Sequence, residues 1–162
     1  MTGPGEMPSG PPPLRPFGLV LHHDGCWTHE GAPIQNRKIR ELFDRSVVYL
    51  PDEEKYIVKL GRFRGQIEIE EAGFFVKSID LVQGSVHLSD GSVNRLEASS
   101  LEVSGRDGAL LCRVKRALVP SGLLARFSHS AQAELLGAVE EAPEGGGWVV
   151  MLAGRPEPMV EF

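Results

Sequence analysis

The sequence has no long hydrophobic run and few cysteines. Its longest apolar run, WVVMLAG at residues 148–154, is far shorter than the roughly 20 residues of a membrane-spanning helix. The two cysteines, Cys26 and Cys112, lie far apart, and no basic start with an apolar run marks a signal peptide. We therefore expect a cytoplasmic protein with reduced cysteines and no membrane partner.

The sequence also has fewer basic than acidic residues. Lys and Arg number 17 against 22 Asp and Glu, which gives a net charge of −5 and a pI near 5.5. Such a chain has no general attraction for the phosphates of nucleic acids or for anionic lipids. With 41% hydrophobic and 24% charged residues, the composition is that of a globular protein without a nucleic-acid partner.

Known catalytic signatures are missing as well. The sequence has no G-x-S-x-G nucleophile elbow, no G-x-x-x-x-G-K loop and no G-x-G-x-x-G after a predicted strand. The triple glycine at residues 145–147 follows a predicted helix instead of preceding one. We therefore assign no catalytic residue and expect a protein that is not an enzyme.

The pattern along the chain predicts a tail and two folded halves. Residues 1–16 hold six of the twelve prolines, so a disordered tail is expected over residues 1–17. Residues 18–83 and 84–162 each combine several predicted antiparallel strands with one amphipathic helix, which places the fold in the α+β class. The expected helix caps are Gln35 or Asn36 in the first half and Ser128 or Ser130 in the second.

The stretch HHDGCWTHEG, residues 22–31, raises the question of a metal site. A two-residue turn at Asp24-Gly25 would pair His23 with Cys26, and His22 with Trp27, on opposite faces of a hairpin. Each face then offers at most two ligands, whereas zinc sites use three or four. We therefore predict no metal, and Trp27, like Trp148, is expected in the core. A Cys26 nucleophile with His23 as its base remains an alternative.

The predicted helix of the first half begins with an unusual group of charges. Arg37, Lys38 and Arg40 lie in its first turn, where the helix dipole disfavours cations. Basic side chains beside exposed helix amides can form an anion site, and Arg126 of the second half could add to it. The alternative is a solvated basic face, partly neutralised by acidic residues further along the helix.

Five stretches resemble a bacterial family of unknown function, DUF1285. They are DGCWTHEGAPIQNRKIRELF, EEKYIVKL, QIEIEEAGFFV, LLARFSHSAQAELL and GGWVVMLAG, which together span most of residues 19–154. The most specific part is D-G-x-W followed by G-x-P-I and a helix. The resemblance implies a duplicated α+β core with a pleckstrin-homology-like second half, and a groove between the halves that binds a nucleotide-like ligand in a signalling context. It implies no catalytic residues.

These observations predict a non-catalytic regulatory or sensory protein that binds a small anionic, nucleotide-like ligand between its halves. We expect no cofactor and no metal, and a protein partner in signalling is compatible with this role. The alternatives are an interaction adaptor that uses strand edges and the proline-rich tail, and a small hydrolase. The predicted ligand-binding residues are Trp27, His29, Arg37, Lys38 and Arg126.

Overall fold

The computed structural model describes residues 15–159. Its first half is a six-stranded sheet in the order β3-β2-β1-β6-β5-β4, with helix α1 (Arg37–Ser46) between β3 and β4. The central strands β1 and β6 run parallel and the other neighbours are antiparallel. The strands of this sheet are β1 (Arg15–Leu21), β2 (Trp27–His29), β3 (Ala32–Pro33), β4 (Val47–Leu50), β5 (Lys55–Leu60) and β6 (Phe63–Ile69).

The second half contains another six-stranded sheet, in the order β10-β11-β12-β7-β8-β9. Its central strands β7 and β12 are parallel, and a short 3-10 helix, Ala98–Ser100, joins β9 to β10. The strands of this sheet are β7 (Phe74–Asp80), β8 (Ser85–Leu88), β9 (Val93–Arg95), β10 (Glu102–Val103), β11 (Leu110–Val114) and β12 (Leu123–Phe127).

The two sheets have the same topology. Each consists of two antiparallel three-stranded units joined by a helical segment, and its first strand pairs in parallel with its last. In the second sheet the place of α1 is taken by the 3-10 helix. The predicted second helix, α2 (His129–Gly137), follows the repeated unit, before a third sheet of β13 (Val139–Glu141), β14 (Trp148–Leu152) and β15 (Arg155–Pro158). The predicted α+β class with two similar halves is confirmed.

The boundaries of the halves differ from those expected. The chain changes sheet between β6 and β7, at residues 70–73, whereas we predicted a division at residues 83 and 84. The local pattern of β7 identifies a strand but does not say which sheet it joins. Residues 15–17 belong to β1 instead of to a disordered tail, because Arg15 and Pro16 pair with β6. The remainder of that tail, residues 1–14, lies outside the described residues.

One hydrophobic core is shared by the two halves. Trp27 of the first sheet and Phe74 of the second are both 1% exposed and belong to the same cluster of buried side chains. The prediction that Trp27 is buried is therefore confirmed. The same prediction for Trp148 is wrong, because this residue is 57% exposed at the start of β14, whereas Val150 and Leu152 further along the strand are buried.

No α-helix in residues 15–159 has the length and apolar character needed to cross a membrane.

Candidate functional site

A cleft of about 630 Å³ opens between the two halves. On one side it is bounded by the β1–β2 loop and α1, and on the other by β7, the β10–β11 turn, the end of β12 and the start of α2. Its lining residues are Asp24, Gly25, Arg37, Arg40, Glu41, Asp44, Phe75, Lys77, Asp107, Gly108, Ala109, Arg126, Phe127, Ser128, His129 and Gln132.

The hairpin beside the cleft forms as predicted, but its register is shifted by one residue. Leu21 pairs with Trp27. Across the loop, the His22 amide donates to the Cys26 carbonyl, and the His22 carbonyl accepts from the Gly25 amide. The predicted pairing of His22 with Trp27 is therefore wrong. A shift of one residue exchanges the two faces of a strand, so the expected sharing of one face by His22 and Trp27 does not occur.

Helix α1 contributes one of its faces to the cleft. Arg37, Arg40, Glu41 and Asp44 are spaced three and four residues apart, and such residues share a helix face. Behind them, buried Trp27 donates a hydrogen bond from Nε1 to Asp44 Oδ1 over 2.8 Å. Burial raises the pKa of the Asp44 carboxyl, and the Trp27 bond opposes this effect. Trp27 therefore supports the cleft wall without lining it.

The side chain of the residue before the helix caps the N-terminus of α1. Asn36 is the N-cap, and its side chain accepts a hydrogen bond from the Ile39 amide over 3.2 Å, as the sequence predicted. Arg37 pairs with Glu41 over 2.8 Å. Lys38 is exposed and does not line the cleft, because successive helix residues are rotated by about 100°. Of the three basic residues in this first turn, Arg37 and Arg40 therefore line the cleft and Lys38 does not.

The remaining predicted ligand residues also have distinct positions. Arg126 lines the cleft and is 8% exposed. It donates to Asp107 Oδ1 over 3.0 Å and to Glu71 Oε1 over 3.4 Å. His29 lies elsewhere, with its ring centroid 5.6 Å from that of exposed Phe17. The structure thus brings Arg37 and Arg126 together at the cleft, but not His29.

Two cations that line the cleft lie near the Asp44 carboxyl but form no direct ion pair with it. Arg40 on α1 and Lys77 on β7 form no ion pair within residues 15–159, and the buried Nε atom of Arg40 has no hydrogen-bond partner there. Both cations act to lower the pKa of Asp44, which places them around the same carboxylate. Sequence reasoning missed Lys77, although a lysine inside the apolar strand FFVKSID was a usable signal.

The start of α2 adds polar groups that the sequence analysis did not assign to the site. Ser128 caps the helix, as one of the two predicted candidates, by accepting from the Ala131 amide over 3.2 Å. His129 and Gln132 line the cleft. Gln132 Oε1 accepts a hydrogen bond from the Leu110 amide over 3.1 Å, so the side-chain NH2 group of Gln132 can donate to a ligand.

A set of ionic contacts, here called the junction network, joins the two halves beside the cleft. Its members are His22, His23, Glu70, Glu71, Ser104, Arg106, Asp107 and Arg126. Glu70 accepts hydrogen bonds from His22 Nδ1 over 2.8 Å and from His23 Nδ1. Glu71, the next residue, accepts from Ser104 Oγ over 2.6 Å. Glu70 also lies 3.5 Å from Arg106 of the second half, so this carboxylate contacts both halves, whereas Glu71 binds the second half.

The junction network keeps two carboxylates ionised. Hydrogen bonds from His22 and His23 lower the pKa of Glu70 to about 2. The bond from Arg126 lowers the pKa of Asp107 to about 2. The histidines of the HHDG segment thus bind a carboxylate that lies 47 or 48 residues away, a partner that local spacing could not reveal.

Comparisons with known proteins agree with this architecture. No family model matches the chain, and the search among curated proteins gave no significant match. A crystal structure of a DUF1285 family protein from Silicibacter pomeroyi DSS-3 superimposes with a TM-score of 0.63 and 17% identity, covering 98% of this chain and 89% of that one. The fold is that of a DUF1285 family protein.

A second structure with this fold shows a weaker similarity. It is a DUF1285 family protein from Shewanella baltica OS155, with a TM-score of 0.50 and 14% identity, covering 75% of this chain and 91% of that one. At such identities the similarity establishes the fold alone. The DUF1285 resemblance seen in the sequence is therefore confirmed at the level of architecture, and the chemistry of the cleft has to be argued from its own residues.

The HHDGCWTHEG segment raised two reactive possibilities, a nucleophilic Cys26 and a bound metal ion. Burial, followed by the charge of Asp24, raises the pKa of the Cys26 thiol, which disfavours the nucleophilic thiolate. Among residues 15–159, no three His, Cys, Asp or Glu side chains form a group that could hold a metal ion. The absence of a bound metal stays a prediction.

Proposed function

We propose that this protein is a cytoplasmic, non-catalytic regulatory or sensory protein that binds a small anionic ligand in the cleft. A phosphate-bearing or nucleotide-like molecule has the required charge. The observation that carries the proposal is the pair Arg40 and Lys77, which approach the cleft from the two halves, act together on the Asp44 carboxyl, and form no direct ion pair in the described part of the chain.

The energetic argument concerns the buried nitrogen of Arg40. A buried donor without a hydrogen-bond partner destabilises a protein by about 1 to 3 kcal/mol, and by more when the group is charged. The Nε atom of Arg40 is such a donor. An anion in the cleft would interact with the positive charge of the Arg40 guanidinium while its second charge interacts with Lys77. Charge-assisted bonds of this kind are the strongest hydrogen bonds that proteins form.

The size and composition of the cleft suit a small molecule. Its volume of about 630 Å³ lies within the range of roughly 300 to 1,000 Å³ that is typical of ligand sites. Arg37, Arg126 and His129 add further basic or titratable groups, and the ring of Phe75 adds an apolar surface. Carboxylates also line the cleft, so recognition would depend on where the ligand places its charge and not on a uniformly positive field.

Calorimetry with pyrophosphate and with AMP tests this proposal. We expect binding that weakens by roughly 10-fold or more in Arg40→Gln and in Lys77→Gln, because each variant loses a charge-assisted contact of about 1.5 to 3 kcal/mol. Lys38→Gln is the matched control, since it removes an exposed cation from the same helix outside the cleft. Equal affinity in all three variants, or no binding of either probe, would contradict the proposal.

The second candidate is a protein-interaction adaptor, and helix α1 is the observation that favours it. This helix contains no buried residue, and its apolar side chains Ile39 and Leu42 are each 41% exposed. An exposed apolar helix face is a common docking surface. The two candidate functions depend on different residues. Replacing Ile39 and Leu42 with Gln should abolish partner binding by an adaptor but leave pyrophosphate binding in the cleft unchanged.

A further inference from the structure

His23 lies between two carboxylates that belong to different parts of the molecule. Its Nδ1 atom donates to Glu70 Oε1, in the connection between the two sheets. Its Nε2 atom is 4.0 Å from Asp107 Oδ2, in the β10–β11 turn of the second half. The same Asp107 oxygen accepts a hydrogen bond from Arg126, which lines the cleft. His23 and Arg126 therefore approach one carboxylate from two sides.

Both carboxylates are ionised over the whole physiological pH range. The pKa of Glu70 and that of Asp107 are each lowered to about 2 by their hydrogen-bond donors. An ionised carboxylate accepts hydrogen bonds and cannot donate them. Each nitrogen of His23 therefore faces a group that can only accept.

The protonation state of His23 decides what it presents to Asp107. A neutral imidazole has one N–H group. When that group is used at Nδ1 for Glu70, the lone pair of Nε2 faces Asp107, and two acceptors repel. An imidazolium donates from both nitrogens, and a movement of about 1 Å would bring Nε2 within hydrogen-bond distance of the Asp107 oxygen.

His22 provides a natural contrast within the same network. Its Nδ1 atom also bonds Glu70, but its Nε2 atom lies 2.9 Å from the hydroxyl oxygen of Thr28. A hydroxyl can donate as well as accept. His22 is therefore satisfied as a neutral ring, whereas His23 gains a second hydrogen bond only when it is protonated.

We propose that protonation of His23 gives Asp107 a second cationic partner, frees Arg126 for the cleft, and so tightens anion binding as the pH falls. This regulation rests on the proposed anion-binding function. The imidazole is the side chain that changes charge between about pH 8 and about pH 5. With His23 neutral, Asp107 is held by Arg126 and neutralises it. With His23 charged, the positive potential at the cleft rises.

Charged and titratable groups approach His23 from each element packed around it. They are four carboxylates, two arginines and the ring of His22. From its own loop it faces Asp24 and His22, from the inter-sheet connection Glu70 and Glu71, from the β10–β11 turn Arg106 and Asp107, and from β12 Arg126.

The test measures sulfate binding by calorimetry between about pH 8 and about pH 5.5, the range in which histidine titrates. Sulfate is chosen because it keeps both charges over this range, whereas phosphate gains a proton. All proteins carry His129→Gln, which removes the other titratable ring of the cleft. We expect the dissociation constant to fall several-fold toward low pH, and to become independent of pH in His23→Ala. The matched control His22→Gln should retain the pH dependence.

A second variant, Asp107→Asn, should imitate the effect of protonating His23. Asp107→Asn removes one of the two carboxylates that hold Arg126 and leaves Glu71, so sulfate should bind to this variant at pH 8 more tightly than to the parent protein. In addition, the NMR signal of the Arg126 Nε–H group should shift with the same midpoint as the ring signals of His23.

The outcomes separate the two proposals. Sulfate binding that depends on Lys77 but keeps its pH dependence in His23→Ala would overturn the role of His23 and leave the anion site standing. An Arg126 signal that does not follow His23 would also overturn that role. No sulfate binding at any pH would overturn both.

Discussion

At the scale of single residues, Trp27 contributes both to the hydrophobic core and to the wall of the cleft. Its indole ring is 1% exposed in the shared core and lies 5.4 Å from the ring of Phe43. Its N–H group holds the Asp44 carboxylate at the wall of the cleft. One side chain thus connects the packing of the core to the position of a charged group at the site.

The two tryptophans should differ widely in their contribution to stability. Truncating a buried Trp to Ala destabilises a protein by about 3 to 5 kcal/mol, so Trp27→Ala should unfold at a much lower urea concentration than the wild type. Trp148→Ala is the control, because its ring is 57% exposed and surface substitutions usually change stability by less than about 0.5 kcal/mol. Similar losses in the two variants would contradict this account of the core.

At the scale of elements, the connection between β6 and β7 packs closely against β5. Gly73 immediately precedes β7, and a methyl group at this position would overlap the ring of Tyr56 on β5. The Tyr56 ring cannot easily retreat, because it packs between Tyr49 and Phe74 with centroid distances of 4.8 and 6.1 Å. The absence of a side chain at Gly73 therefore lets the second sheet begin close against the first.

Substitution at this joint should be destabilising for steric reasons. Gly73→Ala should lower the free energy of unfolding by about 1 to 3 kcal/mol, the usual range for overpacking a filled site. Gly105→Ala, in the β10–β11 turn, is the control: a methyl group there would meet no atom within 4 Å, and the residue does not need a positive φ. Thermal unfolding of the two variants would show the difference, and a Gly73→Ala protein as stable as the wild type would disprove it.

At the scale of the whole molecule, the junction network ties the acid stability of the protein to the contact between its halves. The pKa of Glu70 is lowered from its ordinary value of 4.5 to about 2 by hydrogen bonds from His22 and His23. A carboxyl whose pKa is depressed in the folded state stabilises that state above its ordinary pKa. This stabilisation is lost as the pH falls from about 4.5 to about 2.

Acid titration of stability should identify this contribution. The melting temperature of the wild type should fall between pH 4.5 and about 2, and Glu70→Gln should make this fall shallower because the titrating group is gone. Glu68→Gln on β6 is the control, since Glu68 is exposed and forms no ion pair within residues 15–159. A Glu70→Gln profile parallel to that of the wild type would show that the network does not contribute.

Several elements of this fold could be predicted from the sequence alone because their causes are local. The hairpin around Asp24-Gly25, the Asn36 and Ser128 helix caps, the α+β class and the burial of Trp27 were all expected. Turn chemistry, capping and hydrophobic periodicity act over a few residues. The DUF1285 resemblance also indicated the architecture, which the superposition confirmed.

Only the tertiary structure decided which of these elements meet. The register of the hairpin, the sheet that β7 joins, and the Glu70 partner of His22 and His23 depend on contacts between residues far apart in the chain. The same holds for Lys77, which reaches the cleft because β7 lies beside β12. A single sequence carries no local signal for such contacts. They form because both halves bury their apolar faces in one core, and this burial sets the position of every charged group around the cleft.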